Sequence, residues 1–195
     1  FTPELAARDI DAVIIAGSAG GVDALLQLLP RLPAGYPLPV VAMLHLPENR
    51  DSRLAELFGA RMNLPTREAA DKEKMSPGTV YFAGPGYHLS IEKDFRFSLS
   101  CEPPVHFARP AIDVLMESAA EAYGPRLAAV LLTGANHDGA EGMKLIKERG
   151  GLTVVQDPAE AQVATMPEMA IKKQAPDLIL TLSDIGELLL LLEKK

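Results

Sequence analysis

The 195-residue chain predicts an α/β fold: a doubly wound, mainly parallel sheet flanked by helices, with a small antiparallel hairpin excursion in the middle of the chain. Apolar runs rich in β-branched residues recur at Ala12–Ala16, Pro39–His45, Ala128–Thr133, Leu152–Gln156 and Leu178–Leu182. Segments of helical periodicity separate most of them, the alternation that builds a parallel sheet. The central stretch differs. Gly78–Ala83, His88–Ile91 and Phe95–Ser100 are short and alternating, and are divided by Gly84-Pro85-Gly86 and Glu92-Lys93-Asp94, the punctuation of antiparallel hairpins.

Taken in order, the first apolar run passes through Gly17–Gly21 into a helix over Val22–Leu29, and the proline-rich Leu29–Pro39 is a helix-to-strand loop. The second run leads to a helix over Arg53–Arg61. Beyond the hairpins come helices over Pro110–Tyr123, Ala140–Arg149 (stopped by Gly150-Gly151), Pro167–Gln174 and Asp184–Glu193, the last capped by Ser183. No repeat, low-complexity tract or Gly/Ser linker divides residues 1–195, so one domain is expected. Phe1 rather than methionine opens the chain, which suits a piece of a longer polypeptide.

Composition narrows the function. A hydrophobic content of 48%, a charged content of 23% and a longest leucine run of Leu188–Leu192 describe a soluble domain with no membrane insertion. A net charge of -7 argues against nucleic acid and anionic membrane as partners, because neither attracts an acidic surface. The single cysteine, Cys101, forms no internal disulfide, and with no secretory signal the expected location is cytoplasmic.

In a doubly wound sheet, ligands sit beyond the carboxyl ends of the strands. Three such ends carry chemistry. Ser18 lies in Gly17-Ser18-Ala19-Gly20-Gly21 ahead of a helix, placed either to attack a carbonyl or to cap that helix. His45 ends the second run, where it can take the serine proton or serve as a hydrogen-bonded structural residue. Asp138 follows the strand Ala128–Thr133, where it can orient the imidazole or cap the next helix. Together they point to an acyl-transfer hydrolase. The glycines do not follow G-x-G-x-x-G or a Walker loop, and Ala16 stands where a G-x-S-x-G elbow needs glycine. His45, His88, His106, His137, Cys101 and Asp138 show no metal-ligand spacing, and Cys101 has no evident partner, so no metal, organic cofactor or cysteine nucleophile is expected.

Five segments then identify a relationship: Ile14–Gly21, His45-Leu46-Pro47, Ala108–Leu115, Val130–Gly142 and Ala164-Thr165-Met166-Pro167. In this order, over nearly the whole chain, they resemble the catalytic domain of chemotaxis receptor protein-glutamate methylesterases. The resemblance implies a triad of Ser18, His45 and Asp138 that removes methyl groups from receptor glutamates, releasing methanol, and deamidates particular glutamines. It implies the cytoplasmic region of a methylated chemoreceptor as partner, and a receiver domain in cis or trans as regulator, although no receiver domain is present in these residues. The backbone N–H groups of Ala19 and Ala135 are oxyanion-hole candidates. Arg109 is a candidate for orienting an acidic peptide, against the plainer reading of a surface salt bridge. Met166-Pro167 reads as packing. The chain departs from the family pattern at Ala19 (threonine), Leu44 (glutamine), Leu46 (methionine) and Ala135 (methionine), which makes the expected pocket wall more apolar. A binding module on the same fold, or a hydrolase of another ester, is the alternative.

Overall fold

Strand residues that are apolar at every position, not at every second one, need cover on both sheet faces. The computed structural model, which describes residues 1–46 and 51–192, supplies that cover. Its elements in chain order are α1 (Pro3–Ala6), β1 (Ala12–Gly17), α2 (Gly21–Leu28), β2 (Val40–Leu44), α3 (Leu54–Gly59), β3 (Thr66–Glu68), β4 (Val80–Phe82), β5 (His88–Ile91), β6 (Phe97–Ser100), α4 (Ile112–Tyr123), β7 (Leu127–Leu131), α5 (Ala140–Glu148), β8 (Leu152–Gln156), α6 (Thr165–Lys173), β9 (Leu178–Leu180) and α7 (Leu182–Leu192). Seven strands form one parallel sheet in the order β3-β4-β2-β1-β7-β8-β9, and β5 and β6 pair antiparallel beside it. Pro47 and Glu193, which the sequence places in the second site segment and at the end of the last helix, lie outside the described residues.

Side-chain parity splits the core in two. Val13, Ile15, Val40, Ala42 and Leu44 point to one face and pack against Leu25 and Leu28 of α2, Phe58 of α3 and Ile185, Leu188 and Leu189 of α7. Ala12, Ile14, Ala16, Val41 and Met43 point to the other, against Leu115 and Met116 of α4, Met143 and Ile146 of α5 and Met166 of α6. Each fully buried leucine, isoleucine or phenylalanine contributes on the order of 1.5–3 kcal/mol, so both helix layers are held by burial. Among the described residues, no helix is long and apolar enough to cross a membrane.

Two local expectations are corrected. Gly78–Ala83 is not part of a hairpin: β4 runs parallel to β2 and carries β3 on its other side. Val80, Tyr81 and Phe82 are all buried, which marks a strand covered on both faces, and only β5 and β6 form the antiparallel excursion. The edge strand β3, with Thr66, Arg67 and Glu68 at best half-buried, has no apolar pattern by which to read it. The cap of α7 is Thr181, whose hydroxyl accepts from the amide of Asp184, while Ser183 lies inside the helix.

The order β2-β1-β7 at the centre of the sheet positions the site. Ser18 follows β1 directly, His45 follows β2, and the loop after β7 carries Asp138, so three neighbouring carboxyl ends face one another.

Candidate active site

The turn after β1 is tied to the loop after β7. The Ser18 amide donates to the Thr133 carbonyl at 2.9 Å, and the Thr133 hydroxyl donates to the Ala19 carbonyl at 2.9 Å while accepting from the Val163 amide at 2.8 Å. Gly20, the N-cap of α2, has φ 81°, a left-handed backbone that favours glycine. Ser18 makes no side-chain cap to α2. Its hydroxyl lies instead 3.1 Å from His45 Nδ1.

His45 Nε2 is 2.7 Å from Asp138 Oδ2. A buried carboxylate on Nε2 keeps the proton there, so Nδ1 presents its lone pair to the serine O–H. Asn136 turns toward the same nitrogen: its Oδ1 accepts from the Asp138 amide at 3.0 Å, which directs Nδ2 to a point 3.3 Å from His45 Nδ1.

Asp138 does not cap α5, whose N-cap is Gly139 with φ 98° and no side-chain bond. Its carboxylate caps α4, accepting from the amides of Ile112 at 2.6 Å and Asp113 at 2.9 Å. Asp113 returns the arrangement, its Oδ1 accepting from Gly139 at 3.0 Å and Gly142 at 2.8 Å at the start of α5. The two helix N-termini therefore exchange acidic caps, which suits both their orphan amides and their dipoles. Burial pushes the Asp138 carboxyl up, but the hydrogen bonds from His45 and from the Asp113 and Ile112 amides outweigh it and hold the group below its ordinary pKa. For Asp113 burial prevails: it raises the pKa, helped by the Asp138 charge and only partly offset by the Gly142 amide and His106.

Ser18, His45, Leu46, His106, Phe107, Ala108, Arg109, Pro110 and Asn136 line a cavity of about 590 Å³. Arg109 is at this cavity, with Nη1 donating to the carbonyls of Cys101 and Glu102 at 3.0 and 3.1 Å. Ser18 and Gly134 amides are taken by Thr133 and Val163, whereas among the described residues no acceptor takes the amides of Ala19 and Ala135. Leu46 is in the cavity wall, but Leu44 points down into the core, where its Cδ2 would lie 2.5 Å from a Cβ at Gly21. Met166 is fully buried beneath Gly134, as packing.

Sequence reading gave no role to Asn136, Asp113 or Phe107, and weighed His106 only as a metal ligand. His106 Nε2 is 2.9 Å from Asp113 Oδ2, and its Nδ1 is 3.1 Å from His137 Nε2. Metal-ligating atoms of His106, Asp113 and Asp138 lie within 4.8 Å of one another, yet each already takes part in a hydrogen bond. His88 is buried between the Pro103 carbonyl and the Ala111 amide, and Cys101 is exposed and free. The signal that was available is the run Asn136-His137-Asp138 itself, three polar groups in a loop at a strand's carboxyl end.

A family model described as CheB methylesterase matches residues 13–189. A Leptospira interrogans protein, whose name assigns it provisionally to the protein-glutamate methylesterase/protein-glutamine glutaminases, is 45% identical over 94% of this chain and 95% of its own. The protein-glutamate methylesterase FrzG of Myxococcus xanthus is 39% identical over 91% of this chain, which spans 53% of that longer protein. The crystal structure of the Thermotoga maritima CheB methylesterase catalytic domain superposes with a TM-score of 0.88 at 32% identity, covering 94% of this chain and 98% of that one.

Proposed function

The chain belongs to the CheB methylesterase family, and on that premise we propose that it is a cytoplasmic serine hydrolase that removes methyl esters from glutamate side chains of chemoreceptors, releasing methanol, with glutamine deamidation as a second reaction of the same site. The observation that carries the reading is His45, bonded through one ring nitrogen to Ser18 and through the other to a buried carboxylate.

Ser18 Oγ attacks the ester carbonyl while His45 Nδ1 takes its proton. The developing imidazolium is stabilised by Asp138, whose two oxygens are already fixed by the α4 amides and so need no reorganisation. The oxyanion turns to the amides of Ala19 and Ala135, each worth about 2.7–4 kcal/mol in such a role. As the intermediate collapses, the C–O bond breaks and methanol leaves with the proton from His45. Water, deprotonated by His45, then cleaves the acyl-enzyme to free Ser18 and a glutamate carboxylate. Arg109, at the cavity wall, orients the acidic polypeptide around the ester, and a receiver domain in cis or trans governs access.

A fluorophosphonate probe tests the activated serine. It should label the peptide containing Ser18 in the parent, and labelling should fall by about two orders of magnitude or more in His45→Ala. Failure of the folded parent to label contradicts the hydrolase reading.

A further inference from the structure

Phe107 is 105% exposed, the most exposed large apolar side chain among the described residues, and it stands at the mouth of the cavity that holds Ser18 and His45. It forms, with His106, the centre of a tight turn in which the Val105 amide donates to the Ala108 carbonyl at 3.0 Å and the Ala108 amide to the Val105 carbonyl at 2.9 Å. Both central residues are left-handed, with φ 50° at His106 and 61° at Phe107. Such a turn favours Asn-Gly, and side chains larger than these pay a steric cost in it.

The turn is also braced. His106 is hydrogen-bonded to Asp113, the cap of α5, and contacts His137, while Arg109 ties the chain beyond the turn to the Cys101 and Glu102 carbonyls. His106 thus has two partners that explain its conformation, and Phe107 has a ring held out in water. A left-handed backbone that holds a large aromatic ring fully exposed at a reactive cavity is the arrangement of a binding anchor, because backbone strain is kept where it serves a site and an aromatic ring offers a large contact area for only two rotatable bonds.

We propose that Phe107 is the anchor by which this enzyme grips its protein substrate, its ring packing on an apolar side chain of the polypeptide that flanks the methylated glutamate. The proposal rests on the methylesterase reading above. Its occupant follows from place: Phe107 shares the lining of the cavity with Ser18 and His45, so a polypeptide whose ester reaches Ser18 lies beside the ring, which offers it a large apolar surface.

The test measures methanol release from a purified methylated chemoreceptor fragment and hydrolysis of p-nitrophenyl acetate, for the parent, Phe107→Ala, Phe107→Gly and Phe107→Trp, with thermal unfolding of each. Phe107→Ala should raise KM for the receptor roughly tenfold or more with kcat changed less than about twofold, and lower the ratio of receptor to small-ester kcat/KM by a similar factor. Phe107→Gly, which relaxes the left-handed backbone, should melt no lower than the parent and lose the same receptor affinity; Phe107→Trp should keep most of it. Unchanged receptor KM in both small variants overturns the anchor, as does an equal loss on both substrates, which would mean that the ring shapes the catalytic cavity. A parent that cleaves the small ester but releases no methanol from receptor overturns the methylesterase reading itself, and the anchor with it.

Discussion

Asp138 shows how much of the site depends on one side chain. It is fully buried, and it serves the His45 ring and a helix terminus at once. Asp138→Asn keeps the shape but offers a neutral amide to His45, so kcat should fall by about 10⁴-fold with the fold retained, as circular dichroism and steady-state kinetics would show. A fall of less than tenfold would remove Asp138 from the mechanism. Asn136→Ala should leave the Asp138 amide without its acceptor and His45 Nδ1 without its second contact, costing about 1 kcal/mol of stability by urea denaturation. The residues at the strand ends were legible in the sequence because topology alone brings them together. Asn136, Asp113 and His106 were not, since Asn136 reaches His45, Asp113 reaches Gly139 and Gly142, and His106 reaches His137 across 26 or more residues, which no local pattern records. Leu44 was misjudged as wall for a related reason: strand parity, not composition, turns it into the core.

The exchange of caps between α4 and α5 makes these helices one unit. Asp113→Ala strands the Gly139 and Gly142 amides and also removes one of the two partners of His106. It should cost about 2 kcal/mol or more in urea denaturation, whereas Asp113→Asn, which keeps an acceptor oxygen, should cost less than half as much. Equal effects of the two would show that charge, not hydrogen bonding, joins the helices. The long elements β1, β2, β7 and β8 and their following helices were readable from period and punctuation. Strands β3 and β4 were not: three-residue strands carry too little period, and burial of β4 on both faces comes from α3 and the hairpin, elements that meet it only in the folded chain.

For the molecule as a whole, the two buried aspartates push pH dependence in opposite senses. Asp138 has a lowered pKa, so the stability it lends is present above the unfolded carboxylate value of about 3.9 and is lost as pH falls through its folded pKa. Asp113 has a raised pKa, so its contribution is complete below the unfolded value and is lost as pH rises through its folded one. Relative to the parent, Asp138→Asn should therefore be more destabilised at pH 7 than at pH 3, and Asp113→Asn less destabilised at pH 7 than at pH 3; urea midpoints at both pH values check the signs. Reversed signs would contradict the electrostatic account of the paired caps. The central claim is that Ser18 demethylates receptor glutamates, and its most direct test is methanol release from a methylated chemoreceptor by the parent and by Ser18→Ala, both verified as folded. Release by the parent, with Ser18→Ala slower by roughly 10⁴-fold or more, is the predicted result; equal release by the two, or none by a parent that is folded, would contradict it.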